Sequence, residues 1–358
     1  MSIRTAWIAA AVALSLGACA TAPVRAETPP VTWGTGIVKQ DASWYASADA
    51  RRIADTVILY QSAEGGWPKN TDLMVAPTGP LDPNLANTFD NNGTTLPLTF
   101  LARVIAAGGE TPARRAAFDK GLDYVLAAQY ANGGWPQFFP LRQGYYTHIT
   151  YNDDAQVRLL TLVDEIAAGK APYGFVDATR KARAADAVAR GVDVILKTQV
   201  VQNGRLTVWC AQHDEVTLAP AWARRFEPPS LSGYESVGIT RFLMSRPDPS
   251  PEIIAAVEGA VAWFKANGIP DIAVERFTDA EGNPDRRVIP APGQTLWARF
   301  YDLETNRPIF MGRESIAKAS LAEIERERRA GYNYFDGAPA NLIARDYPAW
   351  RARIGRPL

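Results

Sequence analysis

The chain has 358 residues, 47% of them hydrophobic, which is enough for one large core or two small ones. Lys plus Arg and Asp plus Glu both number 38, so the formal net charge is zero, and the whole-protein basic field that nucleic-acid binding draws on is absent. With two Cys and two His, a zinc site has too few ligands.

The N-terminus reads as an export signal. Arg4 gives a short charged region, and residues 6–18 form an apolar stretch too short to span a bilayer as a permanent helix. Two endings compete. Leu16-Gly17-Ala18-Cys19 resembles a lipobox, which would make Cys19 a lipidated first residue and anchor the chain to a membrane. Val24-Arg25-Ala26 resembles a small-residue cleavage site, which would give a signal of residues 1–26 and a mature domain of residues 27–358. Either way the protein is expected outside the cytoplasm: periplasmic, held at the outer membrane, or secreted. Cys210 then has no disulfide partner and reads as a buried small hydrophobe.

Further on, the chain repeats itself with a period of about 70 residues. Gln61-Ser62-Ala63-Glu64-Gly65-Gly66-Trp67-Pro68 is echoed by Gln129-Tyr130-Ala131-Asn132-Gly133-Gly134-Trp135-Pro136. A degraded copy runs from Gln199 to Gly204 with Val208-Trp209, and a fourth is suggested by residues 263–270. Apolar spacing predicts an amphipathic helix before each of the first three, over residues 49–60, 113–128 and 182–197. The Gly or Asn-Gly after each is a helix stop, and the Trp packs back on the helix end. Between the copies, residues 95–107 and 155–168 are apolar nearly all round, and a third such run starts at Gly238, as expected of buried inner helices. Alternating outer and inner helices predict an all-α fold, an α/α toroid of repeated helical hairpins in a single domain.

Polar residues gather just ahead of the inner helices: Asp90-Asn91-Asn92, Tyr151-Asn152-Asp153-Asp154, and Arg224-Arg225-Phe226-Glu227 through Ser232. In such a ring they converge on one cleft. Each acidic cluster alone is explained by helix capping; together, with Asn neighbours, their oxygens suit a hard cation such as calcium. His148 lies near the second cluster, and His213 reads as structural. Ten Trp and thirteen Tyr serve core and interfaces, or a groove that stacks on sugar faces. Arginines among aromatics, at Trp297-Ala298-Arg299-Phe300-Tyr301 and from Arg307 to Arg313, form surface ion pairs or carboxylate-binding forks.

At these residues the chain resembles the tenth family of polysaccharide lyases, the pectate lyases. The matching runs include Gly65-Gly66-Trp67-Pro68-Lys69-Asn70, Phe89-Asp90-Asn91, Tyr151-Asn152-Asp153-Asp154-Ala155, Trp209-Cys210-Ala211-Gln212 and Pro220-Ala221-Trp222-Ala223-Arg224-Arg225-Phe226-Glu227. Gly133-Gly134-Trp135-Pro136-Gln137, Pro229 through Gly233 with Glu235-Ser236, Trp297 through Tyr301 and Asn306-Arg307-Pro308-Ile309-Phe310 complete the set, which spans nearly the whole mature chain. The resemblance implies calcium-assisted β-elimination on de-esterified polygalacturonate by a monomer. It places the base that removes the C5 proton at Arg224, with Arg225 the alternative register. It places calcium at Asp90, Asp153 and Asp154, and galacturonate binding at Arg299, Arg313, Lys69 and Asn91. Three rivals exist. A terpene cyclase shares the Gln-x3-Gly-Gly-Trp turns, but Asn152-Asp153-Asp154 lacks the first Asp of its acidic run. A hydrolase needs a carboxyl pair and no Arg224. A non-catalytic pectin-binding lipoprotein has no reason to keep both Asp clusters with Arg224.

Overall fold

The computed structural model describes residues 31–356, so the export signal and Cys19 lie outside the described residues. The principal helices are α1 (Ala48–Leu59), α2 (Thr95–Val104), α3 (Pro112–Ala128), α4 (Ala155–Ala167), α5 (Ala178–Thr198), α6 (Glu235–Met244) and α7 (Pro251–Asn267). The outer helices α1, α3, α5 and α7 each open on a side-chain cap: Ser47, Thr111, Asp177 and Ser250 accept from a backbone N–H three residues on. The inner helices α2, α4 and α6 have no side-chain cap. They bury most of their circumference, with Leu98, Phe100, Leu101, Leu159, Leu160, Ile239 and Leu243 fully shielded. One hydrophobic cluster runs from Ile37 to Trp350. No described helix is long and apolar enough to cross a membrane.

The repeated motif is a staple. Trp67, Trp135 and Trp209 are buried, and each indole N–H returns to the preceding outer helix, at Val57 O (2.9 Å), Val125 O (2.9 Å) and Ile195 O (2.7 Å). A buried aromatic of this size takes about 150–250 Å² out of water, on the order of 4–6 kcal/mol gross. The Gln side chains bridge units: the amide of Gln61 donates to Gly65 O and to Ala117 O of the next outer helix, both at 2.9 Å. Gln129 repeats this toward Gly133 O and Ala187 O, and Gln199 toward Thr207 O and Ala256 O. The fit is tight enough that a Cβ on Gly133 would lie 2.0 Å from Arg190 O, which is why glycine stands there at φ +96°. The fourth copy is not where its spacing suggested. Trp297, not Trp263, sends its indole N–H back to the last outer helix, at Phe264 O (2.9 Å). Trp263 instead donates to Asn306.

The all-α expectation is overturned. Helix makes up 46% and strand 14% of the structure, so the fold is mixed α/β rather than a purely helical toroid. Some strands are two-residue ties between successive units: Ile149–Thr150 pairs antiparallel with Gln212–His213, and Leu231–Ser232 with Phe300–Tyr301. The largest is a hairpin, Ile269–Thr278 with Pro284–Ala298, extended by Phe335–Asp336 into a three-stranded sheet. It separates α7 from Trp297, which explains the misplaced fourth copy.

Candidate active site

The segments ahead of α2 and α4 are the same turn. Asn91 and Asn92 stand at φ +49° and +61°, Asp153 and Asp154 at +50° and +60°. Two consecutive left-handed residues are costly for most side chains and least so for Asn and Asp. Neither turn supplies a side-chain cap to its helix, so the carboxylates are not there for capping. The two turns pack on each other, and the second packs on α6. The expected convergence of the inner-helix starts is therefore present for Asp90, Asp153 and Asp154.

Arg299 is the hub. It is 5% exposed, and its Nη2 donates to Asp153 Oδ1 (3.0 Å), to Asn152 Oδ1 (3.2 Å) and to Glu235 Oε1. Glu235 is fully buried, with its second oxygen accepting from Ser232 Oγ. Its ring partners are Tyr234 and Tyr332, at 4.8 and 4.7 Å from the guanidinium. The Nε of Arg299 is buried with no hydrogen-bond partner among the described residues. The ion pair of Asp154 is a long one, to Arg158 at 4.0 Å. Burial pushes Asp154 up to about 6, Arg158 opposing and the charges of Glu235 and Asp153 adding to the rise.

Tyr332 connects this hub to the expected base. Its hydroxyl donates to Glu227 Oε1 (2.7 Å), and its ring lies 5.5 Å from the Arg224 guanidinium. Glu227 is buried and takes Arg224 as a fork, Nε to Oε2 at 2.7 Å and Nη2 to Oε1 at 2.5 Å. Desolvation works to lower the Arg224 pKa, but Glu227 overrides it and the net shift is upward. The same fork holds Glu227 below the usual carboxylate range against the opposing effect of its own burial. Phe226 sits 4.9 Å from Arg224, 5.9 Å from Arg313 and 4.7 Å from Arg328, which makes an arginine wall around one ring. Arg225 is exposed.

The remaining expected residues are less tightly gathered. Lys69 Nζ is 2.5 Å from Asp90 Oδ2, and exposed Asn91 donates to Asn70 Oδ1 (3.1 Å). Both line a cleft of about 460 Å³ together with Trp33, Asn92 and Leu96. Arg313 is exposed and paired with Glu327 at 3.0 Å. His148 pairs with Glu215 at 3.0 Å. His213 is buried, takes the Cys210 N–H on Nε2 (3.1 Å) and lies 2.9 Å from Leu218 O through Nδ1, so it is the neutral Nδ1–H tautomer; burial holds it down at about 4. Cys210 is buried and its thiol is raised by desolvation. Sequence reasoning placed Glu235 in a family run without giving it a role, and missed Tyr332. The Trp209 N–H bonds Ser236 Oγ as the Trp67 N–H bonds Thr94 Oγ1 and the Trp135 N–H bonds Gln156 Oε1. Aligned on those bonds, Glu235 falls in the repeat position after the left-handed pair; Tyr332 has no such signal.

The sequence profile of the family described as pectic acid lyase matches residues 61–343. Two solved structures are similar: a family 10 polysaccharide lyase from Cellvibrio cellulosa, and an aspartate-to-alanine mutant of family 10 polysaccharide lyase from the same organism in complex with trigalacturonic acid. Both are 35% identical over 88% of this chain, with a TM-score of 0.76; the match covers 97% of the first and 98% of the mutant. No curated protein matches. The ordered repeats, the aspartate turns and the arginine hub thus sit on a known scaffold, and the chain belongs to the pectic acid lyase family, as a polysaccharide lyase.

Proposed function

We propose that the chain cleaves de-esterified polygalacturonate or its oligomers by β-elimination, with calcium held by Asp153, Asp154 and Asp90 and with Arg224 as the base. The observation that carries this reading is the chain of contacts Asp153–Arg299–Tyr332–Glu227–Arg224, which ties an acidic oxygen cluster to the guanidinium named as base. The donor chemistry suits a hard divalent cation: the oxygens of Asp153, Asp154, Asn152 and Glu235 outnumber the buried cation among them, Arg299, and the ion pair of Asp154 to Arg158 is long at 4.0 Å. These carboxylates must draw together to ligate, since among the described residues only His148, Asp214 and Glu215 already lie within metal-binding reach of one another. Asp90 is buried and held by Lys69, which must leave it for direct ligation. When bound, calcium supplies charge that neutralises a uronate and acidifies its C5–H.

The chain's own residues do the rest. The unpartnered Nε of Arg299 offers a buried donor to a uronate carboxylate. Arg313, Lys69 and Asn91 bind neighbouring sugar units. Arg224, in its neutral form, takes the C5 proton; the C5–H electron pair becomes the C4–C5 double bond, and the C4–O bond breaks with its pair going to the departing oxygen, which is protonated by solvent. Glu227 opposes the neutral form, so the neutral fraction is small and the reaction belongs to alkaline pH.

An absorbance trace on polygalacturonate with calcium tests this, because elimination makes an absorbing conjugated product. Arg224→Ala is expected to abolish the signal while oligogalacturonate binding survives; turnover like that of the unsubstituted chain refutes the base. New reducing ends without absorbance would replace elimination by hydrolysis. We also read the protein as an exported monomer, with fractionation and the mass of the mature N-terminus deciding between a lipid on Cys19 and soluble release.

A further inference from the structure

The hairpin that interrupts the repeats carries an unusual pair. Arg276 and Arg286 are direct cross-strand partners, on the same face. Like charges directly opposite in a ladder are destabilising. Desolvation and then the charge of Arg276 press the Arg286 pKa down. Next to them, on the other face, the arginines are neutralised: Arg287 by Glu275 at 2.5 Å and Arg329 by Asp285 at 2.6 Å. Among the described residues neither Arg276 nor Arg286 has a carboxylate within ion-pair distance, and the flanking pairs on their own face, Val274 with Val288 and Thr278 with Pro284, bring no acid. Arg276 is exposed and Arg286 half-exposed. Arg286 is nonetheless fixed in place: its Nη1 donates to Tyr332 O at 3.1 Å. Tyr332 is the residue whose ring lies between Arg299 and Arg224. The pair is therefore linked to the arginine hub through one residue, Tyr332.

We propose that this face of the hairpin is an outlying anion subsite, in which Arg276 and Arg286 together take a carboxylate of a polyuronate chain that runs beyond the catalytic cleft. It rests on the polyuronate reading above. Two uncompensated guanidiniums in register offer a bridging carboxylate two charge-assisted donors, and the repulsion present in the free protein is relieved on binding. In this proposal a trimer seated at the hub leaves the pair unfilled, and a chain that extends past the hub fills it.

The test compares Arg276→Ala and Arg276→Glu with the unsubstituted chain on trigalacturonate and on polygalacturonate. For Arg276→Ala the KM on polymer is expected to rise about three- to tenfold, as for loss of one exposed charge-assisted contact, with trigalacturonate turnover unchanged. Arg276→Glu is expected to raise the polymer KM further. The melting temperature of Arg276→Ala should hold or rise by about 1 °C, because the substitution removes a like-charge pair. A polymer KM that does not move, or an equal loss on both substrates, overturns the subsite. If the unsubstituted chain makes no absorbing product from either substrate, the lyase reading fails on its own. The subsite is then decided by electrophoresis through a gel containing polygalacturonate: retardation lost in the variants supports it, and equal retardation overturns it.

Discussion

Replacing Arg299 by Met isolates the buried charge balance on which the site depends. The substitution keeps much of the side chain's bulk and removes the cation that faces fully buried Glu235 and part-buried Asp153. Breaking a buried pair by removing one partner costs about 3–5 kcal/mol, because the remaining charge is left uncompensated. With an unfolding entropy of about 2.1 cal/mol/K per residue, a chain of this size loses about 0.7 kcal/mol of stability per degree at its midpoint, so the melting temperature should fall by about 4–7 °C. Differential scanning calorimetry in chelator measures this. A dication bound among Asp153, Asp154 and Glu235 restores part of the missing positive charge, so calcium should raise the melting temperature of Arg299→Met by more than it raises that of the unsubstituted chain. An equal calcium shift in both proteins would refute the placing of the ion beside Arg299. A loss under 1 °C in chelator would refute the buried Arg299–Glu235 contact as a stabilising one.

Three further outcomes follow from the same geometry. If neutral Arg224 is the base, the logarithm of kcat/KM should climb with a slope near one up to about pH 10, and a plateau by pH 7 in the pH–rate profile would exclude it. Excess chelator should remove lyase activity and added calcium restore it; full activity in chelator eliminates the metal role. His213 is held neutral at about 4 in the folded protein against an ordinary value near 6.5. Its depressed pKa means stability is full above pH ~6.5 and lost as pH falls toward ~4, by about 3 kcal/mol in all. His213→Gln should flatten that part of a denaturation-versus-pH curve, and an unchanged slope would show that other groups set it.

The helical part of the fold was legible because its signals are local. Outer helices announce themselves by period; the caps at Ser47, Thr111 and Asp177 were not read, and the third helix starts at Ala178 and not at residue 182. The Gln and Trp of each repeat recur because the same two hydrogen bonds recur. The strands were not legible. Two-residue ties such as Ile149–Thr150 have no alternation to read, and Pro284–Ala298 carries prolines at 284, 290 and 292 that argue against a strand. That omission turned a mixed fold into an all-helical expectation and put the fourth copy at Trp263. At the site, Asp90, Asp153 and Asp154 were visible as Asn/Asp runs before apolar helices. Arg224 stood out beside Glu227 and Arg299 among aromatics, with surface ion pairs as the competing reading, and their separate roles came only through the family runs. Glu235 stood in a family run, but the degraded third copy gave no sign of its role, and Tyr332 is recruited from a distant segment by packing alone.

The twin left-handed turns also bear on how mutants of this site should be interpreted. At positions 153 and 154 the main chain is bent the way only a few side chains tolerate. Alanine there deletes a carboxylate and disturbs the peptide path at once, so a dead alanine mutant says little about charge. Asparagine, which already occupies the matching positions 91 and 92, keeps the path and discards the charge alone. The gap between the two substitutions at one position is a direct reading of how much of the site's performance resides in its wiring and how much in the shape of the bend.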